Sequence, residues 1–237
     1  MTSIAVYGST SAIAKACIRI WSTEGKKLFL MARDGEQLEK QKQEAISLGA
    51  TRVETFLFDA MAPQISSEAI ECDQVLVCYG TLTDQPQAQN DECYLAQELQ
   101  VNFLSVTQIL EAHSQAMLKR GSGKLAVITS VAGMRGRQSN YIYGAAKGGL
   151  SIYLEGLNHR FAGSPISVLD IRPGFVDTPM TQEFKKGLLW ANPQDVGNNI
   201  VNALKTNQQV LYTPFFWKWI MLIICLIPRK IMQKTKL

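Results

Sequence analysis

Histidine is scarce, with two in 237 residues, and the five cysteines (Cys17, Cys72, Cys78, Cys93 and Cys225) include no C-x-x-C pair. This speaks against a metal site or a disulfide framework and fits a reducing compartment. Fixed-period repeats, low-complexity tracts and Pro/Gly/Ser linkers are missing too, so one folded domain is expected rather than an array of modules. No apolar run reaches the roughly 20 residues that a bilayer crossing needs. Before the apolar stretch Ile4-Ala5-Val6-Tyr7 there is neither a charged leader nor a cleavage site, and no secretory signal is expected.

The net charge of +4 is unevenly spread. Residues 214–237 hold Lys218, Arg229, Lys230, Lys234 and Lys236 and no acid, which leaves the first 213 residues close to neutral. A nucleic-acid binder carries its basic patch on the folded body, so no nucleic-acid partner is expected. A basic tail mixed with large apolar residues suits a membrane surface instead.

What is present is a regular alternation. Strand-like runs at Ser3–Tyr7, Lys27–Ala32, Thr51–Phe58, Gln74–Cys78, Lys124–Thr129, Ile166–Asp170 and Val210–Tyr212 are separated by helical stretches. The helices are expected at Ala12–Trp21, Glu36–Leu48, Cys93–Leu118, Tyr141–Phe161 and Pro193–Leu204. Such alternation predicts an α/β, doubly wound parallel sheet covered on both faces. The domain is expected over 1–213, with 214–237 as a separate apolar and basic tail.

The first strand runs into Gly8-Ser9-Thr10-Ser11-Ala12-Ile13-Ala14. A turn of small residues lets the backbone approach a pyrophosphate, and the following helix N-terminus favours negative charge. A tight turn with no ligand would read the same way. The second strand ends in Ala32-Arg33, where an NAD site carries an acid for the ribose. The Arg33 guanidinium suits a 2′-phosphate; the alternative is a solvated surface arginine.

Ser130 follows an apolar strand, and Tyr143 and Lys147, four residues apart, share one face of a helix. Carbonyl reduction needs a proton donor, and the phenol's ordinary pKa near 10 is high for that role at neutral pH. A nearby ammonium is expected to lower it, and a serine hydroxyl can hold the substrate oxygen alongside. A bare Tyr-x-x-x-Lys pair is common on amphipathic helices. Its weight here comes from Ser130 thirteen residues earlier.

Taken in order, the Gly8 turn, Asp59, Gly80, Asn102, Ser130, Tyr143, Lys147 and Arg172-Pro173-Gly174-Phe175-Val176-Asp177-Thr178 resemble the short-chain dehydrogenase/reductase family over roughly residues 3–213. The resemblance implies a Rossmann fold and an NADPH-dependent ketone reductase. It implies that Tyr143 is the acid–base residue and that Ser130 polarises the carbonyl. Lys147 would bind the nicotinamide ribose and lower the tyrosine pKa, and Asn102 would hold a water in a proton relay. Gly8, Ser9, Thr10, Ser11, Ala12 and Ile13 would cradle the pyrophosphate, with Arg33 on the 2′-phosphate and Asp59 near adenine. Gly80 would line the cofactor cleft. Pro173, Gly174, Val176 and Thr178 would contact the nicotinamide. No metal is implied. A homodimer or homotetramer paired through the two long helices is implied as well. The family's Asn-Asn-Ala-Gly is replaced by Val77-Cys78-Tyr79-Gly80, which leaves that wall of the cleft open to question.

From Phe215 to Ile227 an apolar run is broken only by Lys218 and flanked by Pro214 and Pro228. At about 1.5 Å per residue it gives roughly 20 Å of helix, which suits an interfacial anchor better than a span. The alternative is a helix packed on the body or on a second subunit. The tail and turn also resemble the decaprenylphosphoryl 2-keto-pentose reductases, which implies a lipid-linked or other membrane-resident carbonyl substrate. Residues 181–190 would form a lid with an apolar side of Phe184, Leu188, Leu189 and Trp190. The expected location is cytoplasmic, peripheral on the cytoplasmic face of a membrane. Two other readings stay open, a soluble reductase of small or acyl-chain ketones and a non-catalytic NADP(H)-binding sensor. The intact Ser130/Tyr143/Lys147 set argues against the sensor. His113 and His159 are expected at the surface or an interface. Trp21 and Phe29 are expected in the core, and Cys78 is expected to pack rather than react.

Overall fold

The computed structural model describes residues 2–235; Lys236, counted above in the basic tail, lies outside them. Strands β1 (Ser3–Tyr7), β2 (Lys27–Ala32), β3 (Arg52–Leu57), β4 (Gln74–Val77), β5 (Gly123–Ile128) and β6 (Ile166–Pro173) build one parallel sheet. Two residue pairs later in the chain, β7 (Phe175–Val176) and β8 (Trp190–Ala191), form a small parallel sheet of their own. Strand β9 (Val210–Thr213) then completes the main sheet in the order β3-β2-β1-β4-β5-β6-β9. These strands read as nearly unbroken apolar runs because both faces of the sheet are covered. On one face lie Ile4, Val6, Leu28 and Leu30; on the other lie Ala5, Tyr7, Phe29 and Met31.

Helices α1 (Ala12–Thr23), α2 (Gly35–Ser47) and, late in the chain, α8 (Pro193–Lys205) cover the first face. Between them come the short α3 (Ser67–Ile70) and α4 (Gln85–Asn90), then α5 (Glu92–Leu99), α6 (Ser105–Arg120) and α7 (Tyr141–Arg160). The second face is covered chiefly by α6 and α7. A side-chain cap starts α1 to α5 and α8, whereas α6 and α7 have none. The Ser11 hydroxyl accepts from the Ala14 amide at 3.2 Å to cap α1, and Asp34 Oδ1 accepts from the Gln37 amide at 3.0 Å to cap α2. Trp21 and Phe29 are buried, as expected.

The stretch expected as one helix, Cys93–Leu118, is instead α5 and α6 joined by a π-helical turn over Gln100–Leu104. The extra residue in that turn does not interrupt the apolar pattern, so the sequence carries no mark of it. Such turns are often found at functional positions, and this one contains Asn102.

His113 corrects a second expectation. It lies in the interior, fully buried, with Nε2 2.8 Å from the Tyr7 hydroxyl and Nδ1 3.9 Å from Cys72 Sγ. Its helical neighbours carry no signal of this, because the partners come from β1 and the turn before β4. Burial pushes its pKa down to about 4. The ring is therefore neutral in the fold and takes up a proton first in the unfolded chain. The stability this contributes is complete above the ordinary histidine range near 6.5 and is lost as pH falls through about 4. We expect urea melts of the full chain to lose on the order of 3 kcal/mol across that window through this group. A His113→Gln protein should lack that component, and an unchanged slope would disprove it.

The tail is docked on the body. Helix α9 (Trp217–Leu226) buries Trp217 and Met221 in a cluster with Val131, and a short α10 (Arg229–Met232) follows. The Arg135 guanidinium donates to the carbonyl of Ile227 at 2.7 Å, at the C-terminal end of α9 where carbonyls lack partners. Cys225 Sγ donates to the Met134 carbonyl at 3.5 Å. The outer face stays open: Phe215, Trp219, Leu222, Ile223 and Leu226 are exposed. Among the described residues no helix is long and apolar enough to cross a membrane.

Candidate active site

In this strand order the chain reverses direction between β1 and β4, which opens a crevice at the carboxyl ends of those strands. The expected residues gather there. The turn after β1 is pinned by the Gly8 and Ser9 amides, which both donate to the Met31 carbonyl, at 2.8 and 3.0 Å. Gln41 Nε2 donates to the Ser9 carbonyl at 2.7 Å from α2. Gly8 has φ +75°, and a Cβ there would come within 2.7 Å of the Tyr79 Cβ, so no side chain fits. Ser9 Oγ is buried with no partner among the described residues, a polar atom set beside the N-terminus of α1. Thr10, Ser11, Ala12 and Ile13 carry the chain into that helix.

Arg33, just past β2, and Asp59, just past β3, face a cleft of about 360 Å³ with Phe58 and Ala62. The nearest acid in sequence, Asp34, is occupied. Both of its oxygens accept from Gln37, and those bonds, with the backbone bond first, hold its pKa below the usual carboxylate range. What remains at the end of β2 for a ligand is the exposed guanidinium of Arg33.

The wall left open by Val77-Cys78-Tyr79-Gly80 is closed in another way. Cys78 is buried, with Sγ 3.1 Å from the Ser11 hydroxyl, and the Tyr79 hydroxyl meets Ser105 Oγ at 2.8 Å. Burial lifts the Cys78 thiol to about 11, which keeps it protonated and inert.

Ser130 follows β5. Its Oγ accepts from the Ala132 amide at 3.1 Å. Tyr143 and Lys147 project from α7 into the same space, with Lys147 Nζ 5.9 Å from the phenol ring centroid. Lys147 is almost fully buried and donates to the Ile128 carbonyl at 3.2 Å. Burial depresses its pKa to about 8, opposed by Cys78 and Asp170. Burial also pushes Tyr143 up to about 12, against a hydrogen bond with Ser130 that lowers it. This overturns the expectation of a phenol made acidic by its lysine. Desolvation of the phenolate outweighs an ammonium turned toward a main-chain carbonyl.

Asn102 is fully buried beside Gly80 and Lys147. Beyond it lies a carboxylate that sequence reasoning missed: Glu98 Oε2 accepts from Thr81, Thr83 and Asn102. The one available signal was an acid four residues before Asn102. On the other side of the crevice Pro173 is buried and the Trp217 indole packs against Gly174, leaving no room there for a side chain. Val176 is buried within the small sheet, and Thr178 is engaged with Thr181. The expected lid over 181–190 is irregular and exposed up to Leu189. Trp190, by contrast, joins β8 and stacks on Phe175 with centroids 5.4 Å apart.

A family model described as short chain dehydrogenase matches residues 2–188. The chain belongs to that family. An uncharacterised oxidoreductase of Mycobacterium tuberculosis is 29% identical over 98% of this chain and 96% of its own length. A 3-oxoacyl-[acyl-carrier-protein] reductase of Bos taurus is 26% identical over 79% of this chain and 81% of its own. Among solved structures, a short-chain dehydrogenase from Sphingobium yanoikuyae in complex with NADPH shares the fold, with TM-score 0.81 at 18% identity, over 99% of this chain and 96% of that one. As a short-chain dehydrogenase, the protein is an NAD(P)-dependent oxidoreductase built on a single Rossmann-type sheet.

Proposed function

We propose that this short-chain dehydrogenase reduces a ketone with NADPH. The observation that carries the proposal is the half-buried Tyr143 phenol with Ser130 and Lys147 beside it at the carboxyl ends of the strands. The cofactor's fit rests on the side-chain-free turn at Gly8, the unpartnered Ser9 hydroxyl and the free Arg33 at the mouth of the cleft. Gly8 to Ile13 would hold the pyrophosphate, Arg33 the 2′-phosphate and Asp59 the adenine side. Lys147 would hold the nicotinamide ribose, Gly80 and Asn102 the cleft behind it, and Pro173, Gly174, Val176 and Thr178 the nicotinamide. NADPH, when bound, supplies the hydride.

The protein's own work is to orient the carbonyl and to deliver a proton. Ser130 would turn its hydroxyl from Tyr143 to the substrate oxygen and polarise it. A tyrosine with pKa about 12 is fully protonated at neutral pH, so it is ready to donate as negative charge develops on that oxygen. Lys147 holds its charge only below about pH 8.

The substrate we infer is membrane-borne, a lipid-linked keto sugar or a similar carbonyl. The exposed face of α9 and its flanks combine apolar side chains with Lys218, Arg229, Lys230 and Lys234 and carry no acid, the composition of a surface that meets anionic lipid. We also infer a cytoplasmic, peripheral location, supported by five free thiols. A homodimer or homotetramer is supported by Leu104 and Leu118 on the π-turn and α6 and by Ile152 on α7, which are large, apolar and exposed. Two measurements test the substrate reading. Full-length protein should float with phosphatidylglycerol vesicles, and an Ile223→Glu/Leu226→Glu variant should not. NADPH oxidation should be roughly tenfold more efficient on a prenyl-linked keto sugar in those vesicles than on the same sugar without its chain. No flotation and equal rates would favour a soluble reductase of small ketones.

A further inference from the structure

Glu98 is a buried carboxylate, 5% exposed, with no basic partner among the described residues. Leaving a charge in the interior is expensive unless donors compensate it. Here they do. Thr81 Oγ1 donates to Oε2 at 2.8 Å, Thr83 Oγ1 at 2.7 Å and Asn102 Nδ2 at 3.3 Å. Thr81 closes a ring: its amide donates to Asn102 Oδ1 at 3.1 Å, and its hydroxyl accepts from Asn102 Nδ2 at 2.9 Å. Both ends of the Asn102 amide are therefore assigned, and the side chain cannot flip without breaking three bonds.

The ring stands directly behind the catalytic lysine. A Cβ on Gly80 would sit 2.8 Å from Asn102 Oδ1 and 3.2 Å from Lys147 Nζ, so the amide and the ammonium border the same point. Glu98 and Asn102, four residues apart, share one face at the start of the π-turn, whose geometry brings Asn102 inward. The other groups acting on Lys147 are Cys78 from the end of β4, Asp170 from β6 and Tyr143 from its own helix. Asp170 is also paired with Arg172 at 2.7 Å.

We propose that Glu98 is a positioning residue of the reaction. It locks the Asn102 amide and the π-turn behind Lys147, and so keeps the amide oxygen beside the lysine's ammonium in a desolvated site. The proposal rests on the reading that Lys147 serves NADPH binding and turnover. The need it would meet is visible in the depressed pKa of Lys147, about 8, which leaves little margin at neutral pH.

The test follows NADPH affinity by fluorescence and kcat by NADPH oxidation, from about pH 6 to about pH 10, on full-length wild type, Glu98→Gln and Glu98→Asp. The wild type should lose affinity in one step near the Lys147 pKa. Glu98→Gln keeps the volume and removes the charge. Its step should move down by about half a unit to one unit, with kcat at pH 8 reduced about two- to sixfold and KM little changed. Glu98→Asp keeps the charge and should leave the step near its wild-type position. A Glu98→Gln protein with wild-type step and wild-type kcat overturns the proposal while leaving the reductase reading intact. So does a variant that only melts earlier, with its pH profile unmoved. A wild type with no step at all overturns both readings.

Discussion

Tyr143→Phe should lower kcat for ketone reduction by about 10²- to 10⁴-fold, the usual worth of a positioned general acid, while NADPH binding stays within about twofold. The phenyl ring refills the same half-buried space, and Ser130 keeps its bond from the Ala132 amide. The loss therefore reports the missing hydroxyl rather than a damaged fold. In the wild type the pH profile should be flat on the acid side of pH 8, because a phenol with pKa about 12 carries its proton throughout that range. Above that, the rate should fall as Lys147, charged only below about 8, gives up its proton. A Tyr143→Phe enzyme within tenfold of wild type would remove the proposed mechanism.

Arg33→Ala should weaken NADPH binding about 10- to 100-fold and NADH binding by less than about twofold. The charge-assisted fork between a guanidinium and a phosphate accounts for this range, taken at the modest end because the residue is exposed. Among the described residues no second cation lines that cleft, and the acid beside Arg33 is held in the cap of α2. The alanine variant therefore has no substitute for the lost charge. Titration of both nucleotides by fluorescence checks this, and equal weakening of the two would defeat the assignment of Arg33 to a 2′-phosphate.

The site was legible in the sequence where its chemistry is written in short-range spacing. Tyr143 and Lys147 meet because they lie one helical turn apart, and Ser130 meets them because β5 ends beside α7. The Gly8 turn is legible because only small residues allow that approach. Glu98 was not legible as a partner of Thr81 and Thr83, since these reach it from the loop after β4, fifteen or more residues away. The π-turn was hidden because one inserted residue leaves the apolar pattern of the two helices intact. His113 read as a surface residue because a histidine on an amphipathic helix gives no hint of Tyr7 and Cys72.

The tail shows the same division. Its apolar length and basic ends are plain in the sequence and rule out an ordinary span. Which of its faces is covered depends on Val131, Gly174 and Arg135, and those contacts exist only once the sheet is built.

By itself the sequence determined the strand and helix alternation, the doubly wound sheet, and the serine, tyrosine and lysine that meet at its edge. All of these follow from hydrophobic periodicity and from neighbours within a turn or a strand. Tertiary structure alone decided that the tail helix is bound to the segment after Ser130, that Glu98 backs Asn102, and that Tyr143 holds its proton more tightly than its neighbouring lysine suggests. Proton affinity and docking depend on how much water the assembled fold removes and on groups brought together from distant parts of the chain. Local spacing contains neither quantity.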